Sequence, residues 1–132
     1  MARKRLPPDD PREWLNRARS NLTRAGNPMP GVYLEDYCFD AQQAAEKAIK
    51  AVLIKHGIPV PYIHDLGDLL TRLQRGSVKI PKYVWQADEL SRFAVVTRYP
   101  GLTGPITKRQ HRRSVRIAKA VVGWAERRVG TP

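Results

Sequence analysis

Apolar positions along the chain recur every three to four residues and strand-like alternation is nearly absent, a pattern that predicts helices. In the stretch PREWLNRARSNLTRAG, Trp14, Leu15, Ala18, Leu22 and Ala25 share a face. Asp9 or Asp10 can cap this helix, Pro11 suits its first position and Gly26 ends it. A second helix is predicted over about 34–56, with Leu34, Tyr37, Cys38, Ala41, Ala45, Ala48 and Val52 on one side and a stop at Gly57. The prolines of IPVPYIHD hold the next stretch extended. A short third helix carries Leu66, Leu69, Leu70 and Leu73 and ends before Gly76. Pro81 opens a fourth helix, striped by Val84, Ala87, Leu90, Ala94 and Val95 and broken by RYPGLTGP. Thr107 and Gln110 have capping-box spacing at the start of the last helix, where Val115, Ala118, Val121, Val122 and Ala125 face inward. The expected fold is an all-α antiparallel bundle of about five helices, the third short, forming a single domain over residues 1–132.

One helix carries an unusual polar group. In AQQAAEKAIKAVLIKHG, at about 100° per residue, Ala41, Ala45, Ala48 and Val52 point one way and Gln43, Lys47 and Lys50 the other. Phe39 and Glu46 border this stripe, and Leu53 adds apolar area beside it. A solvated face accounts for such a stripe, with Glu46 and Lys50 in the favourable i,i+4 order. A binding face accounts for it as well: the lysines can hold phosphate oxygens and the amide can read a donor–acceptor edge.

Charge is uneven. The net charge is +12, from 24 basic and 12 acidic residues. Residues 107–132 hold eight basic groups against one acidic, whereas residues 34–70 hold six acidic against three basic. Lys108, Arg109, Arg112, Arg113, Arg116 and Lys119 lie opposite the apolar side of the last helix. Such a face suits a polyanion as well as plain solvation. Nucleic-acid binding through Arg109, Arg112 and Arg116 would be weak, sequence-independent and lost as salt rises.

Other chemistry is sparse. The single cysteine, Cys38, cannot form an internal disulfide, and no apolar run approaches the ~18 residues of a membrane span. The start, MARKRLPPDD, has no apolar stretch of the kind a secretory signal needs. A cytoplasmic location is expected. No Cys/His cluster has zinc spacing, no Gly-rich phosphate loop occurs and no nucleophile–base pair stands out, so neither metal nor cofactor is expected. Asp65 can cap the third helix, His56 can support the end of the second, and His111 falls in the basic arc of the last. Trp85 and Trp124 read as packing or interface aromatics.

The run Ala41-Gln42-Gln43-Ala44-Ala45-Glu46-Lys47-Ala48-Ile49-Lys50-Ala51-Val52-Leu53, followed by a proline-containing loop and His64-Asp65-Leu66, resembles the HEPN domain (higher eukaryotes and prokaryotes nucleotide-binding). The resemblance extends upstream to the Trp14/Ala18/Leu22/Ala25 helix and downstream to Arg98-Tyr99-Pro100, although Gly101 stands where an acidic residue often follows that turn. It implies a helical bundle, commonly dimeric, and two functional directions. Many HEPN proteins are metal-independent ribonucleases with an Arg-x4–6-His motif. None of His56, His64 and His111 has an arginine at that spacing, which counts against catalysis. Small HEPN proteins encoded beside a minimal nucleotidyltransferase are instead thought to bind it or share its nucleotide. The expectation is therefore a non-catalytic homodimeric module in which helix 34–56 contributes to the interface. Gln43, Lys47, Lys50, His64, Asp65 and Arg98 would serve a nucleotide, another anion or a nucleotidyltransferase partner. The alternatives are a toxin-like ribonuclease assembled from Arg98, His64 and Lys47, and a basic helical RNA- or DNA-binder.

Overall fold

The structure is a computed structural model describing residues 4–95, 99–102 and 104–130. Five helices follow in order: α1 (Pro11–Ala25), α2 (Leu34–Lys55), α3 (Leu66–Arg75), α4 (Lys82–Trp85, continued by a 3-10 segment, Gln86–Ala94) and α5 (Lys108–Val129). No strand occurs among the described residues.

Local signals set the helix ends. Asp10 accepts a hydrogen bond from the Arg12 N–H at 2.9 Å and Pro11 takes the first turn of α1. Asp65 caps α3 by accepting from the Asp68 N–H at 3.0 Å. The capping box of α5 forms in both directions, Gln110 N–H to Thr107 Oγ1 at 3.0 Å and Thr107 N–H to Gln110 Oε1 at 2.9 Å. Beyond α2, Gly57 adopts φ +68°, a left-handed conformation that lets the Ile58 N–H turn back to Leu53 O at 2.9 Å.

α2 is the axis of the bundle. It packs against α1, α3, the 3-10 segment and α5. Ala41, Ala44, Ala45, Ala48 and Ala51 are wholly buried, and such small side chains let neighbouring helices come close. Around them Ile49, Leu53, Leu66, Leu69, Leu70 and Leu73 fill the core with no exposed surface, each contributing about 1.5–3 kcal/mol relative to an exposed position. Cys38 is fully buried, and burial pushes its thiol above the ordinary range.

The fourth helix differs from its expected form. It is α-helical for one turn and 3-10 thereafter, and Val84, Ala87, Leu90 and Phe93 are buried at a spacing of three, with Ala94 buried beside Phe93. A period of three aligns side chains on a 3-10 helix and would spiral off an α-helix. The apolar stripe thus selects the tighter winding. It places Phe93 inside and leaves Val95 half exposed.

Candidate functional site

The polar residues of α2 form two linked groups, and the chain itself supplies most of their partners. In the first, the buried Glu46 carboxylate accepts three hydrogen bonds: Gln42 Nε2 at 2.9 Å, Lys50 Nζ at 3.0 Å and His64 Nδ1 at 2.8 Å. Gln42 Nε2 also reaches His64 O at 3.4 Å, and Gln43 Nε2 donates to Gln42 Oε1 at 2.7 Å. The side chains of Glu46 and Lys50 are only 5% and 6% exposed. This corrects the expectation of a solvated or fully open stripe: Lys50 is buried on Glu46, and the segment after α2 returns His64 to the same carboxylate. Leu53, expected beside the stripe, lies wholly in the core.

Burial alone would raise the Glu46 pKa. The hydrogen bonds from Gln42, Lys50 and His64, with the Lys50 charge, outweigh it and leave the carboxyl below its ordinary value. A carboxylate can only accept, so it fixes the proton of His64 on Nδ1 and leaves Nε2 without a hydrogen bond among the described residues. The His64 side chain is 39% exposed, and its ring meets the edge of the exposed Tyr62 ring at 5.9 Å between centroids.

The second group lies along the α1–α2 seam. Lys47 Nζ donates to Asn21 Oδ1 at 2.7 Å, Asn21 Nδ2 donates to Asp40 Oδ1 at 3.3 Å, and Arg24 clamps Asp40 through contacts of 2.6 and 2.9 Å. Lys47 is half-buried and donates to a neutral amide. Burial lowers its pKa, and the nearby Arg17 and Arg24 push the same way against Glu46 and Asp40. Gln43 and Lys47 sit on the one strip of α2 that the other helices cover incompletely, running from Asp36 past Phe39 to Ile54.

The structure therefore brings Gln43, Lys47, Lys50 and His64 to one side of α2. Asp65 is exposed and its carboxylate caps α3, while Arg98 lies outside the described residues. Sequence reasoning missed Gln42, which sits one turn before Glu46 and is fully buried, and Asn21, the Lys47 partner. It also misplaced His111. That side chain is buried, its Nε2 lies 2.7 Å from Ala25 O and its ring packs on Tyr37, so it joins α5 to α1 instead of adding to the basic arc. Arg109, Arg112 and Arg116 are exposed as expected. Trp124 is buried and Trp85 packs against the core. No cluster of potential metal ligands exists among the described residues, and none of their helices is long and apolar enough to cross a membrane.

An all-α bundle built round a polar, alanine-rich central helix, with a histidine returned onto it by the following loop, defines a small helical-bundle class. The sequence matches the HEPN domain over residues 11–128, and the chain belongs to that family. Among solved structures it is similar to TT1696 from Thermus thermophilus, with 32% identity, a TM-score of 0.79, and coverage of 91% of this chain and 98% of that one. It is also similar to ST0689, an archaeal HEPN homologue, with 27% identity, a TM-score of 0.74, and coverage of 97% and 100%. No curated protein matches the chain.

Proposed function

We propose that the protein is a non-catalytic HEPN binding module that works as a homodimer and accepts a nucleotide phosphate, or a minimal nucleotidyltransferase partner, on the open strip of α2. The observation that carries this reading is Lys47: a half-buried ammonium, bonded to a neutral amide, on the incompletely covered strip beside Gln43. A phosphate oxygen would give it the charged partner that Asn21 does not. A two-fold axis along the strip would bring two copies of Lys47 together and strengthen the demand for an anion. The missing Arg-x4–6-His spacing supports a binding role over turnover.

Sedimentation at micromolar concentration, together with titration of a nucleoside triphosphate, tests the proposal. A dimer whose nucleotide binding falls at least tenfold in Gln43→Ala/Lys47→Ala is expected. A monomer, or an unchanged isotherm in the variant, overturns it. Lys50 is left intact in this variant because it belongs to the buried network.

One observation favours a second reading. Glu46 orients His64 as a carboxylate orients a general base, with Nε2 unbonded among the described residues. RNA cleavage that disappears in a folded His64→Gln variant would establish a ribonuclease and displace the binding reading.

A further inference from the structure

α1 and α5 lie side by side with opposite directions. Arg19 of α1 pairs with Glu126 of α5 at 2.7 Å, while Ala25, at the end of α1, meets His111 near the start of α5. Arg112, Lys119 and Glu126 are spaced by seven, two helical turns, and so fall on one line of α5. Because Glu126 is held by α1, that line marks the border where the two helices' outer faces join.

Both faces are cationic and polar. Lys108, Arg109, Arg112, Arg116 and Lys119 are exposed and have no ion-pair partner among the described residues. The outer face of α1 floors an open trough of about 720 Å³. Asn16, Ser20, Thr23 and Asn27, spaced by three or four residues, run down its length as small hydrogen-bonding groups. Arg17, Arg19 and Arg24 flank them, with Glu13 beside Arg17 as the one acidic group of the lining, and the segment before α1 adds Lys4 and Arg5 at one end.

The first turn of α5 holds Lys108 and Arg109 and no acidic residue. Cations at the positive end of a helix are disfavoured, so they work against the helix and suit an external anion. Hydrophobic anchors are sparse: among the described residues, none of the large exposed apolar side chains belongs to α1 or α5, and Met29, beyond the end of α1, is the one that lines the trough. Protein interfaces depend on such anchors, and single strands need aromatic stacking platforms. A single methionine supplies neither a cluster of anchors nor an aromatic platform, whereas phosphate contacts need only cations, hydroxyls and amides.

We propose that the joined outer faces of α1 and α5 bind the phosphate backbones of double-stranded nucleic acid without reading its sequence. The surface adjoins the α2 strip at Arg24 and Asn27 but does not depend on that strip's role. It extends the footprint beyond Arg109, Arg112 and Arg116 on α5 to the trough on α1.

Fluorescence anisotropy with the full chain and 20-base-pair DNA and RNA duplexes, each in two unrelated sequences, tests this. Binding is expected at 50 mM salt, equal between the two sequences and weaker for the corresponding single strands. With about five phosphate contacts, log K should fall against log salt with a slope of about −4 to −5, a loss of several hundred-fold, roughly, by 200 mM. Arg109→Ser/Arg112→Ser/Arg116→Ser should abolish binding. Ser20→Glu/Thr23→Glu, which alters only exposed positions of α1, should weaken it at least tenfold while circular dichroism is unchanged. No binding at 50 mM, tighter binding of single strands, or an α1 variant equal to the parent would each overturn the proposal. Binding to anionic vesicles but to neither duplex would also overturn it and assign the face to a membrane surface.

Discussion

Lys50 and Arg112 both sit on helices of 22 residues, yet they are opposite uses of a positive charge. Lys50 is closed inside the bundle on Glu46 at 3.0 Å, in a network that also binds Gln42 and His64. Arg112 is exposed among Lys108, Arg109 and Arg116 and has no acid beside it among the described residues. The first charge is part of the fold, because removing either partner would strand the other in the interior. The second opposes its own helix slightly and is available to something else. A count of +12 hides this division, and only the surroundings of each group expose it.

The largest effect should come from breaking the inner network. Glu46→Ala leaves the Lys50 ammonium and the His64 and Gln42 donors without their acceptor. Losing one member of a buried pair costs about 3–5 kcal/mol, and urea denaturation should register a loss of that size. Glu46→Leu combined with Lys50→Met removes both charges at similar volume and should recover most of it. A loss below about 1 kcal/mol in Glu46→Ala would put Lys50 in the same class as Arg112.

How much of this was legible in the sequence depended on whether a signal was local. The caps at Asp10, Asp65 and Thr107 depend on residues within one turn, and each forms as read. The apolar face of α2 and the five-helix bundle were legible because burial follows helical period. Lys50 was not, since angular position shows where a side chain points and not which distant segment covers it. The same carboxylate that holds Lys50 also takes His64, 14 positions further along the chain. His111 failed for the same reason: it falls at the edge of the basic arc, and only the docking of α1 makes it buried. The fourth helix buries Val84, Ala87, Leu90 and Ala94 as read, but its 3-10 winding, the buried Phe93 and the exposed Val95 were missed, because a repeat of three passes for one of 3.6 over so short a stretch. Gln42 was overlooked as a neighbour of Gln43, although its i,i+4 relation to Glu46 was available.

The next effect concerns pH. The folded Glu46 carboxyl has a pKa below its ordinary value, held there by hydrogen bonds and the Lys50 charge against burial. A group depressed in the folded state binds its proton more readily when unfolded. Its stabilisation is therefore complete above the ordinary carboxylate pKa, about 4.3. It is lost as pH falls through the lower folded value. Asp10, Glu13 and Glu89 are shifted the same way by their arginine partners and backbone donors, so the whole protein should weaken in acid. Thermal unfolding from pH 7 down to pH 2 should show Tm falling with acid, and Glu46→Leu/Lys50→Met should flatten the fall. An equal acid slope in the double variant would show that the inner network is not linked to stability.

The smallest effect has the opposite sign. Arg112 has like charges three and four residues away, at Lys108, Arg109 and Arg116, and a like-charge pair at i,i+4 destabilises a helix by about 0.2–0.5 kcal/mol. It also lies close to the positive end of α5, where cations are unfavourable. Glutamine has nearly the helix propensity of arginine, so Arg112→Gln removes the repulsion with little other change. The variant should be more stable than the parent by about 0.5 kcal/mol at low salt, and the gain should shrink toward zero at 1 M, where charges are screened within about 3 Å. Chemical denaturation by urea at both salt concentrations can resolve the difference, since urea adds no ionic strength. A loss of stability would mean that Arg112 has a structural partner, and the contrast with Lys50 would close. A salt-sensitive gain would mark α5 as a face whose cations are retained at the expense of the helix that carries them.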